Sequence, residues 1–295
     1  MRIFITGATG WIGSALTKDL LAAGHSVIAL ARTNEKAREL SELGAEPVLG
    51  TIDDVGVLIA GAKNADAVAH LAFGAGGMDR MAEAAEADRT AIETFGNVFA
   101  GSERMILVTG GIGTVPPGQV FTEQTPQPIN PNLPRFSEPT AMVLADRGLN
   151  ATTIRIPRSV HGSGESHGFI PRLIALARTK GLSAYVGDGD NLWPSVHRLD
   201  AARLYRLALE RGIADGPFHA VAEEGTRFKS IAQAIGRGFG LPIRSISPEE
   251  AMSHFGFLTM PVRSNGPANN DQTRQRLGWQ PKEVTFIADI ARNYF

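Results

Sequence analysis

The sequence predicts a doubly wound α/β fold, in which helices cover both faces of a parallel β-sheet. Short apolar runs alternate with helical patterns through the first half of the chain, and several of these runs are almost entirely apolar. Such runs are typical of strands buried on both faces, and their alternation with helices is typical of βαβ units. The 295 residues are enough for one large domain, or for a large and a small one that share a cleft.

The elements follow one another in a regular order as far as Pro157. The predicted strands of this part cover residues 2–6, 26–31, 46–49, 67–71, 105–109 and 151–156. The predicted helices cover residues 11–23, 34–43, 55–60, 78–100 and 139–147. The rhythm then becomes less regular, with a helix at 169–179, a strand at 184–186 and a helix at 200–210. We therefore predict a main domain at 1–157, to which 180–215 returns, and a smaller, interleaved substrate-binding region at 158–179 and 216–295.

Composition excludes several classes of protein. The net charge is −1 and no basic stripe stands out, whereas nucleic-acid binding needs many Lys and Arg contacts to phosphate. The absence of cysteine removes disulfides, thiol catalysis and thiolate metal sites, and it fits a reducing cytoplasm. The apolar run at the N-terminus is too short for a signal peptide or a membrane helix. We expect a cytoplasmic protein with no nucleic-acid, membrane or metal partner.

A glycine-rich motif, TGATGWIG at residues 6–13, follows the first predicted strand and opens the first helix. Gly7 permits a tight turn, Gly10 lets the backbone approach a pyrophosphate, and Gly13 lets the helix pack closely on the strand. A plain βα turn is the alternative interpretation, but the position between strand and helix favours a dinucleotide site. We predict that the cofactor contacts Gly7, Thr9, Gly10, Trp11, Ile12 and Gly13.

The end of the second strand favours NADP over NAD. NAD-binding proteins usually place an acidic residue there, whereas an arginine accommodates the 2′-phosphate of NADP. Here the strand ends in Arg32 and Thr33 without a carboxylate, and Lys36 and Arg38 follow. An Arg32 that is merely solvated is the alternative. We predict NADP as the cofactor, with Arg32 and Thr33 among its contacts.

With these motifs the chain resembles the extended and atypical short-chain dehydrogenase/reductases, the NAD-dependent epimerase/dehydratase-like group. The motif at 6–13 matches the TGxxGxxG of that family, and AHLA at 69–72 is similar to its HLAA. Further similar segments are GTID at 50–53, RIPRSVHG at 155–162, YVGDG at 185–189, VHRLDAA at 196–202 and FHAV at 218–221. The resemblance implies a Rossmann-type domain, and it adds Asp53, Leu71, Ala72, Phe73, Thr109 and Pro157 to the expected cofactor contacts.

The chain lacks the Tyr-x-x-x-Lys pair of that family. In the family, the Tyr exchanges a proton with the substrate oxygen, the Lys lowers the pKa of the Tyr, and a Ser or Thr after the fifth strand bonds the same oxygen. The spacing of the family puts the pair near Asn130 and Pro134. No lysine lies between Lys63 and Lys180, and the only tyrosines are Tyr185, Tyr205 and Tyr294. The pair is therefore absent whatever the alignment.

Four residues are candidates for the missing proton donor, and each has a structural alternative. Ser137 stands at a predicted helix start, where it can simply cap the helix. His161 is expected on the loop after the sixth strand, where it can donate a proton near neutral pH or only pack. Thr109 provides a hydroxyl group at the end of the fifth strand, where glycines stand in place of the hydroxyl-bearing residues that the family usually has. Tyr185 precedes a turn at the expected pocket edge and can equally be a packing residue.

Three functions stay open. The first is an NADP-dependent oxidoreductase that reduces a small apolar carbonyl, imine or activated alkene without the usual Tyr/Lys relay. The second is a non-catalytic NADP-binding sensor or scaffold, and the third is a lyase or isomerase on the same fold. Aromatic residues around the expected pocket favour a hydrophobic small molecule: Phe73, Phe136, Phe169 and Trp193. The family resemblance also implies a homodimer through the helices at 78–100 and 139–147.

Overall fold

A computed structural model describes residues 1–73, 80–127 and 135–295 of the chain. In chain order its strands are β1 Arg2–Thr6, β2 Ser26–Ala31, β3 Glu46–Leu49, β4 Ala67–His70, β5 Met105–Gly111, β6 Ala151–Ile156, β7 Ser159–His161, β8 Ser183–Val186, β9 Leu192–His197, β10 Phe218–His219, β11 Glu223–Arg227 and β12 Ile243–Ile246.

Helices connect these strands, and those up to Arg211 follow the predicted order, whereas the helices after it were not predicted. The helices are α1 Trp11–Ala22, α2 Asn34–Glu42, α3 Val55–Lys63, α4 Met81–Phe99, α5 Ser137–Asp146, α6 Phe169–Lys180, α7 Arg198–Arg211, α8 Phe228–Gly238, α9 Glu250–Phe255, α10 Thr259–Arg263, α11 Asp271–Leu277 and α12 Phe286–Asn293. Within the described ranges, no helix is long and apolar enough to cross a membrane.

Seven parallel strands form the main sheet, in the order β3-β2-β1-β4-β5-β6-β10. The strand order reverses between β1 and β4, because the chain first builds outwards to β3 and then returns to the other side of β1. In doubly wound sheets, a dinucleotide binds across the carboxyl ends of the strands at this reversal. The predicted fold class is confirmed.

Alternate residues of β1 pack on opposite faces of the sheet, as the period of a strand requires. Ile3 and Ile5 belong to a core that includes Leu16 of α1 and Leu204 of α7. Phe4 belongs to a second core on the other face, with residues of α3, α4 and α5. The near-continuous apolar strands therefore reflect burial on both faces.

The rest of the chain forms two small sheets and a third core. β9 pairs with β7 in parallel and with β11 in the antiparallel direction, while β8 pairs with β12 in parallel. The third core is centred on large buried side chains from several elements, including Trp193, Phe228, Phe255 and Phe286. The predicted division differs from these sheets in two places. Residues 183–197, expected to return to the main domain, provide β8 and β9 of the small sheets, while residues 218–219, assigned to the smaller region, add β10 to the main sheet.

Several element boundaries differ from the prediction. α3 extends three residues further, to Lys63, and α5 begins earlier, at Ser137. β7 and β9 were not predicted, because β7 has three residues and β9 contains Pro194, which cannot donate a ladder hydrogen bond. Met78, the expected first residue of the fourth helix, lies outside the described residues.

Gly13 is the position in α1 where the chain has no room for a side chain. A Cβ built on Gly13 would lie 2.0 Å from the carbonyl oxygen of Gly7, which is backbone and cannot rotate away. We predict that Gly13→Ala lowers the free energy of unfolding by at least about 3 kcal/mol, at the upper end of overpacking costs. Chemical denaturation measures this loss.

Gly56→Ala is the matched control, because a Cβ on Gly56 in α3 would meet no atom within 4 Å. Alanine favours the helical state over glycine by up to about 1 kcal/mol, so this variant should be as stable as the wild type or more so. Equal stability of the two variants would contradict the close packing of α1 on the glycine-rich turn.

Candidate cofactor site

A cavity of about 600 Å³ lies at the carboxyl ends of β1, β2, β3 and β4. Its volume falls within the range that small-molecule and cofactor sites usually have. Eight residues predicted as cofactor contacts line it: Gly7, Thr9, Gly10, Arg32, Asp53, Leu71, Ala72 and Phe73. Residues from the start of α4, including Glu83 and Ala87, close the opposite wall.

The glycine-rich turn forms the floor of this cavity. Gly7 has φ +75°, and a Cβ on it would lie 2.7 Å from the backbone nitrogen of Ala72. The Gly10 N–H donates to the Gly7 carbonyl at 2.9 Å, and Gly10 is also the N-cap of α1, without a side-chain cap. The first N–H groups of α1 are thus not bonded by a capping side chain, and such groups bind anions such as a pyrophosphate.

Some predicted cofactor contacts do not line the cavity. The Trp11 indole donates to the carbonyl of Val160 at 2.7 Å, and so ties the turn to β7. The Thr33 hydroxyl accepts a hydrogen bond from the Lys36 backbone as the N-cap of α2. The remaining residues in this group are Ile12, Gly13, Thr109 and Pro157. Their contact with cofactor stays a prediction.

Arg32 is the positively charged residue at the end of β2. Its side chain is exposed at the cavity and, within the described parts of the chain, forms no ion pair or hydrogen bond. Lys36 is less available, because its ammonium group bonds the Glu39 carboxylate at 2.8 Å and 2.9 Å. Arg32 is therefore the better candidate of the two for a phosphate contact.

A chain of buried polar groups runs beneath the cavity from β1 to α5. Thr6 Oγ1 lies 2.7 Å from His70 Nδ1, and His70 Nε2 lies 3.0 Å from one oxygen of Asp88. The Ser137 hydroxyl donates to the other Asp88 oxygen at 2.6 Å. The Ala72 N–H donates to Thr6 Oγ1 at 3.3 Å, so the chain also reaches the cavity wall. These bonds fix α5 relative to the glycine-rich turn.

The interpretation of Ser137 as a helix cap is wrong. The N-cap of α5 is Phe136, and no side chain caps that end of the helix. Ser137 is instead the first residue of the helix, fully buried, and its hydroxyl proton is engaged by Asp88. A hydroxyl committed in this way has to break that bond before it can protonate a substrate.

Thr109 and Tyr205 share a second set of hydrogen bonds at the end of β5. The Thr109 hydroxyl donates to the carbonyl of His70 at 2.8 Å, and it lies 2.8 Å from the Tyr205 hydroxyl. Burial raises the pKa of Tyr205 above its ordinary value, so this phenol stays protonated. Because Thr109 gives its proton to the carbonyl, Tyr205 gives its own to Thr109.

Arg135 brings a positive charge to the same place. Its guanidinium group donates to the Thr109 carbonyl at 3.1 Å and to the Ser137 hydroxyl at 3.3 Å. It lies over the ring of Phe73, 4.6 Å from the centroid, and Phe73 lines the cavity. Burial lowers the pKa of Arg135, against the opposing effect of Asp88. Arg135 was not singled out in the sequence, although it is the residue directly before Phe136 and Ser137.

Asp88 was also missed, although the sequence carries a signal for it. The buried face of α4 contains Ala85, Ile92, Phe95 and Phe99, and Asp88 stands in the same stripe. A carboxylate in an apolar stripe needs a buried partner.

His161 and Tyr185 lie away from the cavity walls. His161 belongs to β7 rather than to a loop, which corrects the expected position, and its Nδ1 lies 2.8 Å from an Asp289 oxygen. Burial lowers the pKa of His161, while Asp289 opposes that shift. Tyr185 lies in β8, where Lys229 packs over its ring. The positions expected for the absent Tyr/Lys pair, Asn130 and Pro134, fall outside the described residues.

A buried ion pair joins α5 to β6 and β10. Arg155 bonds both oxygens of Glu138, at 2.8 Å and 2.5 Å. Its third nitrogen lies 3.3 Å from Nε2 of His219, whose Nδ1 donates to the Asn269 carbonyl at 2.7 Å. His219 is therefore neutral, with its proton on Nδ1. In the described part of the chain, no group of three or more His, Asp or Glu side chains could hold a metal ion.

Comparison with known proteins identifies the family. A family model described as NAD(P)H-binding matches residues 7–173, which is more than half of the chain. The protein belongs to this family of NAD(P)H-binding proteins, of the short-chain dehydrogenase/reductase type. The resemblance stated from the sequence motifs is thereby confirmed.

Three similar proteins illustrate the family: two are uncharacterised, and the third is a ketoreductase. Uncharacterised proteins of Schizosaccharomyces pombe and Saccharomyces cerevisiae are 42% and 39% identical, over the full length of this chain and at least 99% of theirs. A 4-hydroxy-2-methyl-3-oxo-4-farnesyl-3,4-dihydroquinoline-1-oxide ketoreductase of Stigmatella aurantiaca is 31% identical over 72% of this chain and 65% of its own.

Solved structures support the fold. The dTDP-glucose 4,6-dehydratase of Streptomyces venezuelae, with NAD and TYD bound, superposes with a TM-score of 0.78. The superposition covers 99% of this chain and 95% of that enzyme at 20% identity. At this identity the likeness shows the shared fold alone.

The neutral state of His219 makes stability depend on pH. Burial lowers its pKa from 6.5 to about 4. The unfolded chain therefore binds a proton between these values and the folded chain does not, so stability is lost as the pH falls from about 6.5 to about 4. We predict that the wild type loses on the order of 2–3 kcal/mol from this group.

Denaturation at several pH values tests the contribution of His219. His219→Gln, whose amide does not titrate, should flatten the pH dependence, whereas His167→Gln, at an exposed loop histidine, should leave it unchanged. Equal slopes for the wild type and His219→Gln would show that His219 is not the group responsible.

Proposed function

We propose that the protein is an NADP(H)-dependent oxidoreductase that reduces a small carbonyl, imine or activated alkene. The observation that carries this proposal is the cavity at the strand-order reversal, where the glycine-rich turn meets an arginine instead of a carboxylate at the end of β2. The turn suits a pyrophosphate, and Arg32 suits the 2′-phosphate that distinguishes NADP from NAD.

Named relatives favour reduction over the other reactions of the fold. Besides the ketoreductase, the matches include a 2-alkyl-3-oxoalkanoate reductase of Stenotrophomonas maltophilia at 27% identity. A sterol-4-alpha-carboxylate 3-dehydrogenase of Dictyostelium discoideum is 26% identical. Two of these names are reductases and the third is a decarboxylating dehydrogenase, so all three describe a redox reaction. We propose the same class of reaction for this chain.

The proposed reaction proceeds without a Tyr/Lys relay. Hydride transfer is the chemistry of the bound nicotinamide, and the chain contributes position and charge. The hydroxyl protons of Ser137 and Thr109 are engaged within the protein, so the substrate oxygen takes its proton from water, or the substrate arrives protonated as an iminium ion. Arg135 supplies positive charge beside Phe73, which stabilises negative charge that develops on a reduced oxygen.

The role of Arg32 predicts the cofactor preference of two variants. Arg32→Gln removes the charge facing the 2′-phosphate, so we expect the Kd for NADPH to rise roughly tenfold or more, as for a charge-assisted hydrogen bond. The Kd for NADH should stay unchanged. Arg38→Gln is the matched control, because Arg38 is exposed on α2 and does not line the cavity, and it should bind both cofactors like the wild type.

Fluorescence titration of NADPH and NADH measures these constants. A wild type that binds NADH as tightly as NADPH would contradict the assignment of NADP, and so would an Arg32→Gln variant with unchanged NADPH affinity.

Turnover separates the reductase from its alternatives. We expect the purified protein to oxidise NADPH in the presence of at least one member of a panel of ketones, aldehydes, imines and activated alkenes. The decrease in absorbance of the reduced cofactor measures this oxidation. Arg135→Gln should lower kcat with an unchanged Kd for NADPH. Tight NADPH binding without oxidation across the panel would instead support a sensor or scaffold.

A further inference from the structure

Three hydrogen-bond donors at or near the start of β7 have no acceptor in the described part of the chain. They are the guanidinium group of Arg158, the hydroxyl of Ser159 and the indole N–H of Trp193. The Ser159 and Trp193 side chains are buried, with 4% and 0% of their surface exposed, and neither polar atom has a hydrogen-bond partner among the described residues. A buried donor without an acceptor is costly, so each one calls for an explanation.

The strand register places Ser159 and Trp193 close together. Ser159 of β7 pairs with Ser195 of β9, and Trp193 is two residues before Ser195. Because alternate residues of a strand point to the same face, Ser159 and Trp193 are diagonal neighbours on one face of this sheet. The Arg158 guanidinium lies 5.3 Å from the centre of the Trp193 ring.

Arg158 has no counter-ion in the described part of the chain. Among the described residues it contacts the Trp193 ring, and neither a carboxylate nor a carbonyl oxygen there bonds its N–H groups. Burial alone lowers the pKa of Arg158 to about 10, so the group still carries its charge at neutral pH. All three donors therefore lack an acceptor, and the charge of Arg158 favours an anionic one.

The position of Arg158 is that of a substrate contact. It follows Pro157 at the carboxyl end of β6, on the same edge of the sheet as the cofactor cavity. The cavity walls come from β1 to β4 and the start of α4, so β5 and β6 border the other half of the crevice. In a doubly wound sheet, the second half of a dinucleotide and the substrate lie over that half.

We infer that Arg158, Ser159 and Trp193 form a subsite for the carboxylate of an acidic substrate. The three donors match the oxygens of one carboxylate, and a guanidinium group binds such a group with two parallel hydrogen bonds. The inference deepens the proposed function, because it gives the small reducible substrate an acidic end. The deep burial of Ser159 and Trp193 favours a planar carboxylate over a bulkier phosphate group.

Binding of simple anions tests the subsite independently of turnover. The probes are butanoate, its neutral analogue butanamide, and inorganic phosphate, each titrated calorimetrically into the NADPH-bound protein. We expect butanoate to bind more tightly than the other two. Arg158→Gln should weaken butanoate binding roughly tenfold, Arg158→Lys should weaken it less, and Trp193→Phe should weaken it through loss of one donor.

Arg172→Gln is the matched control, since Arg172 is an exposed arginine of α6 in the same region. It should bind butanoate like the wild type. The Arg158 and Arg172 variants should keep the NADPH affinity and melting temperature of the wild type, whereas Trp193→Phe also removes core packing and is compared at equal folded fraction. Unchanged butanoate binding by Arg158→Gln would overturn the subsite, as would equal binding of butanamide. Tighter binding of phosphate would overturn the carboxylate as its ligand.

Failure of the proposed function has a different signature. A protein that binds butanoate through Arg158 but oxidises NADPH with no keto acid supports the subsite and contradicts the reductase. A protein that reduces neutral ketones but binds no butanoate supports the reductase and overturns the subsite.

Discussion

The close backbone contact between the glycine-rich turn and the segment after β4 is the constraint on which the rest of the structure depends. Gly7 touches the backbone at Ala72, and Gly13 touches the carbonyl of Gly7, with no room for a Cβ at either position. This contact forms the floor of the cavity and directs the first N–H groups of α1 towards it. The same turn holds Thr6, from which the buried chain through His70 and Asp88 reaches Ser137 in α5.

The polar groups near the end of β5 bind one another across α5, β5 and α7. Tyr205, Thr109 and Ser137 each give their hydroxyl proton to another protein atom, and Arg135 binds two of the same residues. In the proposed function, the chain contributes fixed positive charge from Arg135 and, in the inferred subsite, from Arg158. A site of this kind positions an acidic substrate and stabilises negative charge, while hydride comes from the cofactor.

Much of the fold could be predicted because its signals are local. Several of the six strands up to Ile156 are almost entirely apolar runs, and the glycine-rich motif lies between the first strand and the first helix. β10 has two residues and β7 has three, so neither has a periodicity to recognise. His161 was expected on a loop for that reason, although it pairs in β7 with β9.

The sequence predicted the residues of the candidate site only at positions at or shortly after the end of a predicted strand. Gly10, Arg32 and Asp53 each follow a strand that ends at the cavity, so the motif and the strand order suffice. The bond of Asp88 to Ser137 spans 49 residues, and no local pattern specifies it. The carboxylate in the apolar stripe of α4 signals a buried partner without identifying it. The unpaired donors at Arg158 and Trp193 likewise become visible only when β7 and β9 are placed side by side.

Hydride transfer from a nicotinamide bound at the glycine-rich turn is the step on which the proposed function depends. The most direct test supplies NADPH with deuterium on one or the other face of C4 and offers a panel of keto acids and ketones as substrates. Mass spectrometry then measures the deuterium content of the alcohols that form. The proposal predicts one deuterium per product molecule from one face only, because a fixed cofactor presents a single face to the substrate. Products without deuterium from either labelled cofactor would contradict it.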